Sequence, residues 1–239
     1  MVLKIRLLLP YGCARVAGKL RCVLAGMIFT LATAVSVAAD EGQTLRLAAL
    51  GDSLTQGYGL PQDAGLVPQL QDWLQAQGHD VEVLNAGVSG DTTAGGLSRL
   101  DWTLADEPDA MMVVLGGNDL LRGIDPAISR ENLDAILKRL ADEGVPALLV
   151  GMPAPGNFGP DFRDDFAAIY PELAREYDVP LYPNLLAPIT DRHDSGARVE
   201  GLMQDDRIHP NAEGVEQIVE ALGPVVARFL DALGEDGGA

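Results

Sequence analysis

Short apolar runs alternate with longer amphipathic stretches along the chain from residue 45 onward. Five runs have the length and composition of strands: Leu45–Leu50, Val81–Leu84, Met111–Leu115, Ala147–Val150 and Val179–Tyr182. Five stretches have helical spacing, at about Val67–Gln77, Thr93–Leu104, Ala127–Glu143, Phe162–Tyr177 and Ala212–Leu233. Strands that alternate with helices predict crossover connections, so we expect an α/β fold. Its five-stranded, mostly parallel sheet would be covered by helices on both faces, in three α/β/α layers.

The first 39 residues have the pattern of a secretory signal peptide. A segment with five Lys and Arg residues comes first, and an apolar run follows from Val23 to Val37. Ala38 and Ala39 then provide the small residues at which a signal peptidase cleaves. The alternative is a retained membrane anchor, but the apolar run is short for a bilayer span. We therefore expect residues 1–39 to be removed, residues 40–239 to form one domain, and the protein to be periplasmic or secreted.

The chain beyond residue 39 is strongly acidic. The whole sequence has 17 Lys and Arg and 35 Asp and Glu, and removal of the five basic residues before position 40 leaves a formal charge of −23. Such a surface repels nucleic acid and anionic membranes, so we expect neither as a partner and no stable membrane anchor after signal cleavage. We expect a monomer.

The sequence offers little for a metal or a cofactor. Cys13 and Cys22 lie in the segment expected to be removed, and the nucleotide-binding glycine motifs are absent. Asp52, Asp91 and Asp119 could form a carboxylate cluster for Mg²⁺, although we interpret them as turn residues that bind local amides. We therefore expect neither a metal nor a cofactor.

Glycines and small polar residues follow the first three predicted strands. Ser53 lies in Gly51-Asp52-Ser53-Leu54, Gly90 in Val88-Ser89-Gly90-Asp91, and Asn118 in Gly117-Asn118-Asp119. Ligands of open α/β sheets bind beyond the carboxyl ends of the strands. A serine here could be a nucleophile or a helix cap, and Gly90 and Asn118 could donate to an oxyanion or simply form turns.

Three histidines limit the choice of a catalytic base. His79 lies in a turn at the other end of the sheet, where we expect it to be exposed, and His193 lies in a polar loop. His209 precedes the last predicted helix, and Asp206 comes three residues earlier, a spacing that allows the carboxylate to reach the imidazole. A structural histidine with a helix-capping carboxylate is the alternative interpretation.

Together these segments resemble the GDSL, or Ser-Gly-Asn-His (SGNH), hydrolase family. The matching residues are Gly51-Asp52-Ser53-Leu54, Val88-Ser89-Gly90-Asp91-Thr92, Gly117-Asn118-Asp119 and Asp206-x-x-His209-Pro210. The resemblance covers roughly residues 45–230 and is greatest to the bacterial periplasmic arylesterase, acyl-CoA thioesterase and lysophospholipase group. It implies a flavodoxin-like SGNH hydrolase fold.

The resemblance also implies roles for these residues. Ser53 would attack the acyl carbon, His209 would take and return the proton, and Asp206 would orient His209. The oxyanion hole would consist of the Ser53 and Gly90 amides and the Asn118 side chain. One departure is Arg207, because relatives often have glycine there.

The implied activity is hydrolysis of acyl esters and thioesters, among them aryl esters and lysophospholipids. Four apolar residues near the strand ends favour a substrate with an apolar acyl chain: Leu120, Leu121, Ile124 and Phe158. We expect Leu120–Pro126 to form a loop that covers this chain. A carbohydrate O-acetyl esterase of the same family is the alternative enzyme. A binding module without activity is the alternative from another class, since fold alone does not establish catalysis.

Overall fold

The structure is a computed structural model, and it describes residues 44–152, 158–190 and 201–236. The expected signal peptide, residues 1–39, and His193 lie outside the described residues. Within the described ranges, no helix combines the length and apolar character needed to cross a lipid bilayer.

Five parallel strands form the central sheet, in the order β2-β1-β3-β4-β5. The strands are β1 (Leu45–Gly51), β2 (Val81–Gly87), β3 (Ala110–Val114), β4 (Ala147–Val150) and β5 (Leu181–Tyr182). All five predicted strands are therefore present, and the expected parallel sheet is confirmed. The apolar runs form strands because the central ones are covered on both faces. Every residue of β3 is buried, which explains its uninterrupted apolar sequence.

Helices cover the sheet on both sides, as the predicted three-layer architecture requires. They are α1 (Ser53–Gln56), α2 (Leu66–Ala76), α3 (Thr93–Ser98), α4 (Leu100–Leu104), α5 (Gly117–Arg122), α6 (Pro126–Glu143), α7 (Pro160–Glu176), α8 (Ala187–Thr190) and α9 (Ala212–Asp236). Helix α9 packs against α2, and α6 packs against α3 and α7. The apolar faces of these helices and the sheet enclose one hydrophobic core.

Two helix predictions differ from the structure. The predicted helix Thr93–Leu104 is divided at Arg99, whose φ of −112° interrupts the helical backbone. The predicted loop Leu120–Pro126 begins inside α5, which ends at Gly123 with a φ of 61°. Gly116 and Gly117, just before Asn118, form the N-terminus of this short helix.

The strand register places the selected segments at one edge of the sheet. Gly51 at the end of β1 pairs with Gly87 of β2 on one side and with Val114 of β3 on the other. The chain order reverses between β1 and β3, and ligands of such folds bind at this switch point. The segments that contain Ser53, Gly90 and Asn118 therefore leave the sheet side by side.

Candidate active site

Ser53 is the first residue of α1, directly beyond the carboxyl end of β1. Asp52 caps this short helix, because its Oδ1 atom accepts a 3.0 Å hydrogen bond from the Leu54 amide. The helix ends at Gly57, whose amide donates to the Ser53 carbonyl oxygen over 3.1 Å. The Ser53 side chain is consequently held at a tight strand-to-helix turn, where the residue is partly exposed.

His209 reaches Ser53 from the far end of the chain. Its Nε2 atom lies 2.8 Å from Ser53 Oγ, and its Nδ1 atom lies 2.6 Å from Asp206 Oδ2. The side chain of His209 is 15% exposed and that of Asp206 is 35% exposed. The structure thus brings three of the selected residues into one continuous chain of hydrogen bonds.

A tight turn holds Asp206 beside His209. Asp206 Oδ1 accepts hydrogen bonds from the amides of His209, at 3.0 Å, and Ile208, at 2.9 Å. Hydrogen bonds from the His209 amide, its imidazole and the Ile208 amide lower the pKa of Asp206 to about 2, although partial burial opposes them. Arg207 has a φ of 57°, a value that favours glycine. Asp206 is therefore ionised at neutral pH and can stabilise a protonated imidazole.

Gly90 lies in the segment after β2, at a φ of 84° that suits glycine. Its carbonyl oxygen accepts a 2.7 Å hydrogen bond from Arg122 Nη2. Arg99 binds the next residue, because its Nε atom lies 2.5 Å from Asp91 Oδ2, and its Nη2 atom donates to the Gly51 carbonyl oxygen over 2.7 Å. These bonds anchor the Gly90 segment to α5 and to the end of β1.

Asn118 is the second residue of α5, and its side chain contacts the residue before Ser53. Asn118 Nδ2 donates to Asp52 Oδ2 over 3.3 Å. Burial raises the pKa of Asp52 to about 6, although hydrogen bonds from Leu54 and Asn118 act in the opposite direction. Asp52 therefore contacts α1 with one oxygen and Asn118 with the other, which connects the two segments at the switch point.

Asp119 connects the Asn118 segment to the residues after β2. Its carboxyl group is fully buried and accepts from the Thr93 amide at 2.8 Å, the Thr93 hydroxyl at 2.6 Å and the Ser129 hydroxyl at 2.9 Å. Asn132 Nδ2 also donates to Thr93 Oγ1 over 3.0 Å. This network is buried and polar, and it joins α5, α3 and α6. Sequence patterns did not reveal it, because its members are separated along the chain.

The three aspartates that could have formed a cation site have other partners. Asp52 binds a local amide as expected, whereas Asp91 pairs with Arg99 and Asp119 binds Thr93 and Ser129. Within the described part of the chain, no three His, Cys, Asp or Glu residues are grouped as metal ligands. The interpretation of Asp91 and Asp119 as residues that bind local amides was wrong, since Asp91 pairs with the guanidinium of Arg99 and Asp119 binds Thr93, 26 residues away.

His79 differs from its expected environment. It does lie between α2 and β2, near the amino end of that strand, but its side chain is only 20% exposed. Its Nδ1 atom lies 3.8 Å from Asp231 Oδ1 of helix α9. The prediction of an exposed residue was therefore wrong, because the His79 side chain lies beside α9 although its neighbours in the turn are exposed.

An apolar depression lies beside Ser53 and His209. Its walls come from α1, α2 and α9 and include Leu54, Leu66 and Ile218. Tyr58 also lines it, with its ring centroid 4.7 Å from that of the His209 imidazole. No sequence pattern indicated this depression, because its walls come from segments far apart in sequence. Only one part of it could have been noticed in the sequence: Tyr58 lies between two glycines, Gly57 and Gly59, shortly after Ser53.

The four residues proposed from sequence to hold an acyl chain are placed differently from one another. Leu120 is 4% exposed and belongs to the core, because α5 turns it inward. Leu121 is 59% exposed, Ile124 is partly buried, and Phe158 is 46% exposed. The prediction that Leu120 forms an exposed wall was thus wrong. None of the four lines the apolar depression beside His209.

Comparison with known proteins gives consistent matches. Residues 49–217 match the model of the GDSL-like Lipase/Acylhydrolase family. The chain is 37% identical over 185 residues to "Esterase TesA" of Pseudomonas aeruginosa, a match that covers 77% of this chain and 89% of the relative. It is also 37% identical over 188 residues to "Thioesterase 1/protease 1/lysophospholipase L1" of Escherichia coli K12, covering 78% of this chain and 83% of the relative.

A solved structure agrees with these matches. The crystal structure of AlinE4, a SGNH-hydrolase family esterase, is 43% identical and aligns with a TM-score of 0.64. The alignment covers 79% of this chain and 98% of that chain. The similarity in structure therefore extends over the whole of the compared domain.

Proposed function

Because the chain belongs to the GDSL-like lipase/acylhydrolase family, we propose that it is a serine esterase in which Ser53 is the nucleophile. The observation that carries the assignment is the hydrogen-bond chain from Asp206 through His209 to Ser53, with 2.6 Å and 2.8 Å between the bonded atoms. A nucleophile, a base and an orienting carboxylate in this order are the arrangement used for acyl transfer. The substrates are carboxylic esters and thioesters.

The first half of the reaction forms an acyl-enzyme. His209 Nε2 takes the hydroxyl proton as Ser53 Oγ bonds to the acyl carbon, and the carbonyl π electrons move to the oxygen. Collapse of this tetrahedral intermediate breaks the bond to the leaving oxygen or sulfur, which receives the proton from His209. Ionised Asp206 stabilises the imidazolium between these two transfers.

The oxyanion of the intermediate is bound by the Ser53 and Gly90 amides and the Asn118 side chain. Support comes from the anchoring of two of these donor segments, because the Asn118 side chain donates to Asp52 and the Gly90 carbonyl oxygen accepts from Arg122. Donors that are fixed before the reaction stabilise developing charge without reorganisation. One hydrogen of Asn118 Nδ2 is directed to Asp52, which leaves its second hydrogen for the substrate oxygen.

Water completes the cycle. His209 takes a proton from a water molecule, whose oxygen bonds to the acyl carbon, and a second tetrahedral intermediate forms. Its collapse breaks the bond to Ser53 Oγ, and His209 returns the proton to the serine. The products are a carboxylic acid and the regenerated enzyme, so no cofactor is consumed.

We place the acyl chain along apolar residues of and beyond α5, namely the exposed Leu121 and Phe158 and the partly buried Ile124. The Phe158 ring lies against Gly123, where a Cβ atom would come within 2.8 Å of it. The esterase, thioesterase and lysophospholipase names of the relatives support carboxylic esters, acyl thioesters and lysophospholipids as substrates, and we include aryl esters among the carboxylic esters. The apolar surroundings of Ser53 favour these over the O-acetyl groups of carbohydrates.

We also propose that the enzyme acts as a monomer in the periplasm or outside the cell. The basic and apolar segments within residues 1–39 support export. N-terminal sequencing of exported protein should give a start at Asp40, and light scattering should give the mass of one chain. A start at Met1 would contradict export with cleavage.

The activity is tested by matched serine variants. Ser53→Ala should lower kcat for p-nitrophenyl butyrate by a factor on the order of 10⁴ or more, because no other group can form the acyl-enzyme. Ser98→Ala is the control, because the Ser98 hydroxyl is exposed and binds only the nearby Gly95 carbonyl oxygen in the described structure. Equal activity of Ser53→Ala and the control, with both variants folded, would refute the proposal.

A further inference from the structure

The ring of Tyr58 lies beside the imidazole of His209, in the depression that also contains Ser53. The leaving oxygen receives its proton from His209 Nε2, so the group attached to that oxygen must lie next to the imidazole. The Tyr58 ring centroid is 4.7 Å from that of the imidazole, and the two planes meet at 41°. Tyr58 is therefore positioned to contact whatever leaves.

The backbone of Tyr58 is fixed relative to the serine. Its amide donates to the Ser53 carbonyl oxygen over 3.1 Å, and its carbonyl oxygen accepts from Gln204 Nε2 at 2.8 Å. Gly57 and Gly59 on either side have φ values of 85° and 75°, which shape the loop around it. The position of the ring is thus determined by a backbone that is hydrogen-bonded to Ser53 and to Gln204.

The surroundings of this ring are apolar and open. Tyr58 is 50% exposed, so part of the ring remains available to a ligand. The depression that it shares with Ser53 is walled by Leu54, Leu60 and Val215. A ligand here gains contact with hydrocarbon, and a flat ring gains an aromatic pair as well.

We propose that Tyr58 and the adjoining apolar walls form the leaving-group subsite, which takes aromatic alcohols in preference to alkyl ones. The subsite lies on the His209 side of Ser53, whereas the acyl chain lies along α5. This inference rests on the proposed function, since a leaving group exists only if Ser53 is acylated. Tyr58 acts by binding the substrate, so it determines specificity rather than transferring a proton.

The test compares two butyrate esters whose leaving groups have similar acidity, phenyl butyrate and hexafluoroisopropyl butyrate. Similar acidity makes the proton transfer from His209 comparable, so the ratio of their kcat/KM values reports on contact with the leaving group. Tyr58→Leu should lower the phenyl-to-fluoroalkyl ratio by about 3- to 10-fold, the effect expected of one aromatic pair. Tyr58→Phe should keep the ratio, because the ring remains.

Trp102 provides the matched control for Tyr58. Trp102→Leu removes an aromatic side chain that is 81% exposed and outside the depression, and it should leave the ratio unchanged. Both esters give the same butyryl-enzyme, so its rate of hydrolysis should be common to them in every variant. If Tyr58→Leu slows both esters equally, Tyr58 only positions His209 and the subsite is refuted. An unchanged ratio also refutes it, whereas wild-type protein without Ser53-dependent activity would refute the proposed function itself.

Discussion

The buried bonds around Asp119 predict that two variants, each of which loses a hydroxyl bonded to that carboxyl group, will differ in catalysis. Thr93→Val removes a hydroxyl that donates to Asp119 over 2.6 Å, on the segment that contains Gly90. Ser129→Ala removes a hydroxyl that donates to the same carboxyl group over 2.9 Å, but from α6. Only the first bond connects the Gly90 segment to the Asn118 segment, so only its loss should disturb the oxyanion hole.

The expected magnitudes follow from these contacts. Each variant loses one buried hydrogen bond to a carboxyl group, which should lower the free energy of unfolding by about 1–3 kcal/mol. Thr93→Val also loses the 3.0 Å bond that Thr93 Oγ1 accepts from Asn132 Nδ2, so we expect it to be the less stable of the two. Loss of a whole oxyanion donor lowers kcat by roughly 10²–10³. Because Thr93→Val loosens one donor without removing it, we expect a decrease in kcat of about 10-fold for this variant and less than about 2-fold for Ser129→Ala.

The assay combines urea unfolding with steady-state kinetics on p-nitrophenyl butyrate. The KM of Thr93→Val should change little, because the interaction is strongest when charge develops on the oxygen. Equal decreases in kcat for the two variants would show that the network acts on catalysis only through general stability. A change confined to KM would place the Gly90 segment in substrate binding instead.

Three further predictions concern the site and its charge. Asn118→Ala should lower kcat by roughly 10²–10³ with little change in KM, measured on p-nitrophenyl butyrate; a pure KM effect would contradict the oxyanion role. The pKa of Asp52, raised by burial from 3.8 to about 6, means that the folded state favours the protonated form, so its stabilising contribution is present below about pH 4 and is lost as the pH rises through about 6. Asp52→Asn, which cannot ionise, should therefore gain stability relative to wild type between pH 4.5 and pH 7.5 in urea unfolding, and a constant difference would contradict this. The formal charge of −23 that remains without residues 1–39 should repel acyl-CoA, so kcat/KM for that polyanion should rise with salt while that for a neutral aryl ester stays constant; parallel salt responses would exclude repulsion.

The sequence pattern was sufficient for the sheet, whereas the roles of the site residues were assigned through the resemblance to a family. Apolar runs predicted all five strands. Ser53, Gly90 and Asn118 each follow the end of one of the first three strands, and in a parallel sheet these ends lie at one edge. Asp206 and His209 were recognisable because three residues separate them, so local spacing alone could bring the carboxylate to the imidazole. The contact of His209 with Ser53, 156 positions away, could be expected only from the resemblance to a family.

The features of the fold and of the site that were not predicted depend on contacts between segments, which a local sequence pattern does not specify. Arg99 interrupts a helical pattern, and its guanidinium joins Asp91 to the Gly51 carbonyl oxygen. Leu120 and Leu121 are equally apolar, but the helical phase of α5 buries one and exposes the other. The depression beside Tyr58 exists only when α1, α2 and α9 come together. Such features arise from packing between distant segments, which periodicity does not specify.

Covalent labelling tests the central claim most directly. An alkyl fluorophosphonate reacts with an activated serine, and the phosphorus stays bonded to the attacking oxygen. Intact mass and peptide mapping should show one label, on Ser53, with loss of esterase activity in proportion to labelling. Ser53→Ala should take up no label, and His209→Ala should react far more slowly because the hydroxyl proton has no acceptor. A label on another residue, or full activity after complete labelling of Ser53, would contradict the assignment of Ser53 as the nucleophile.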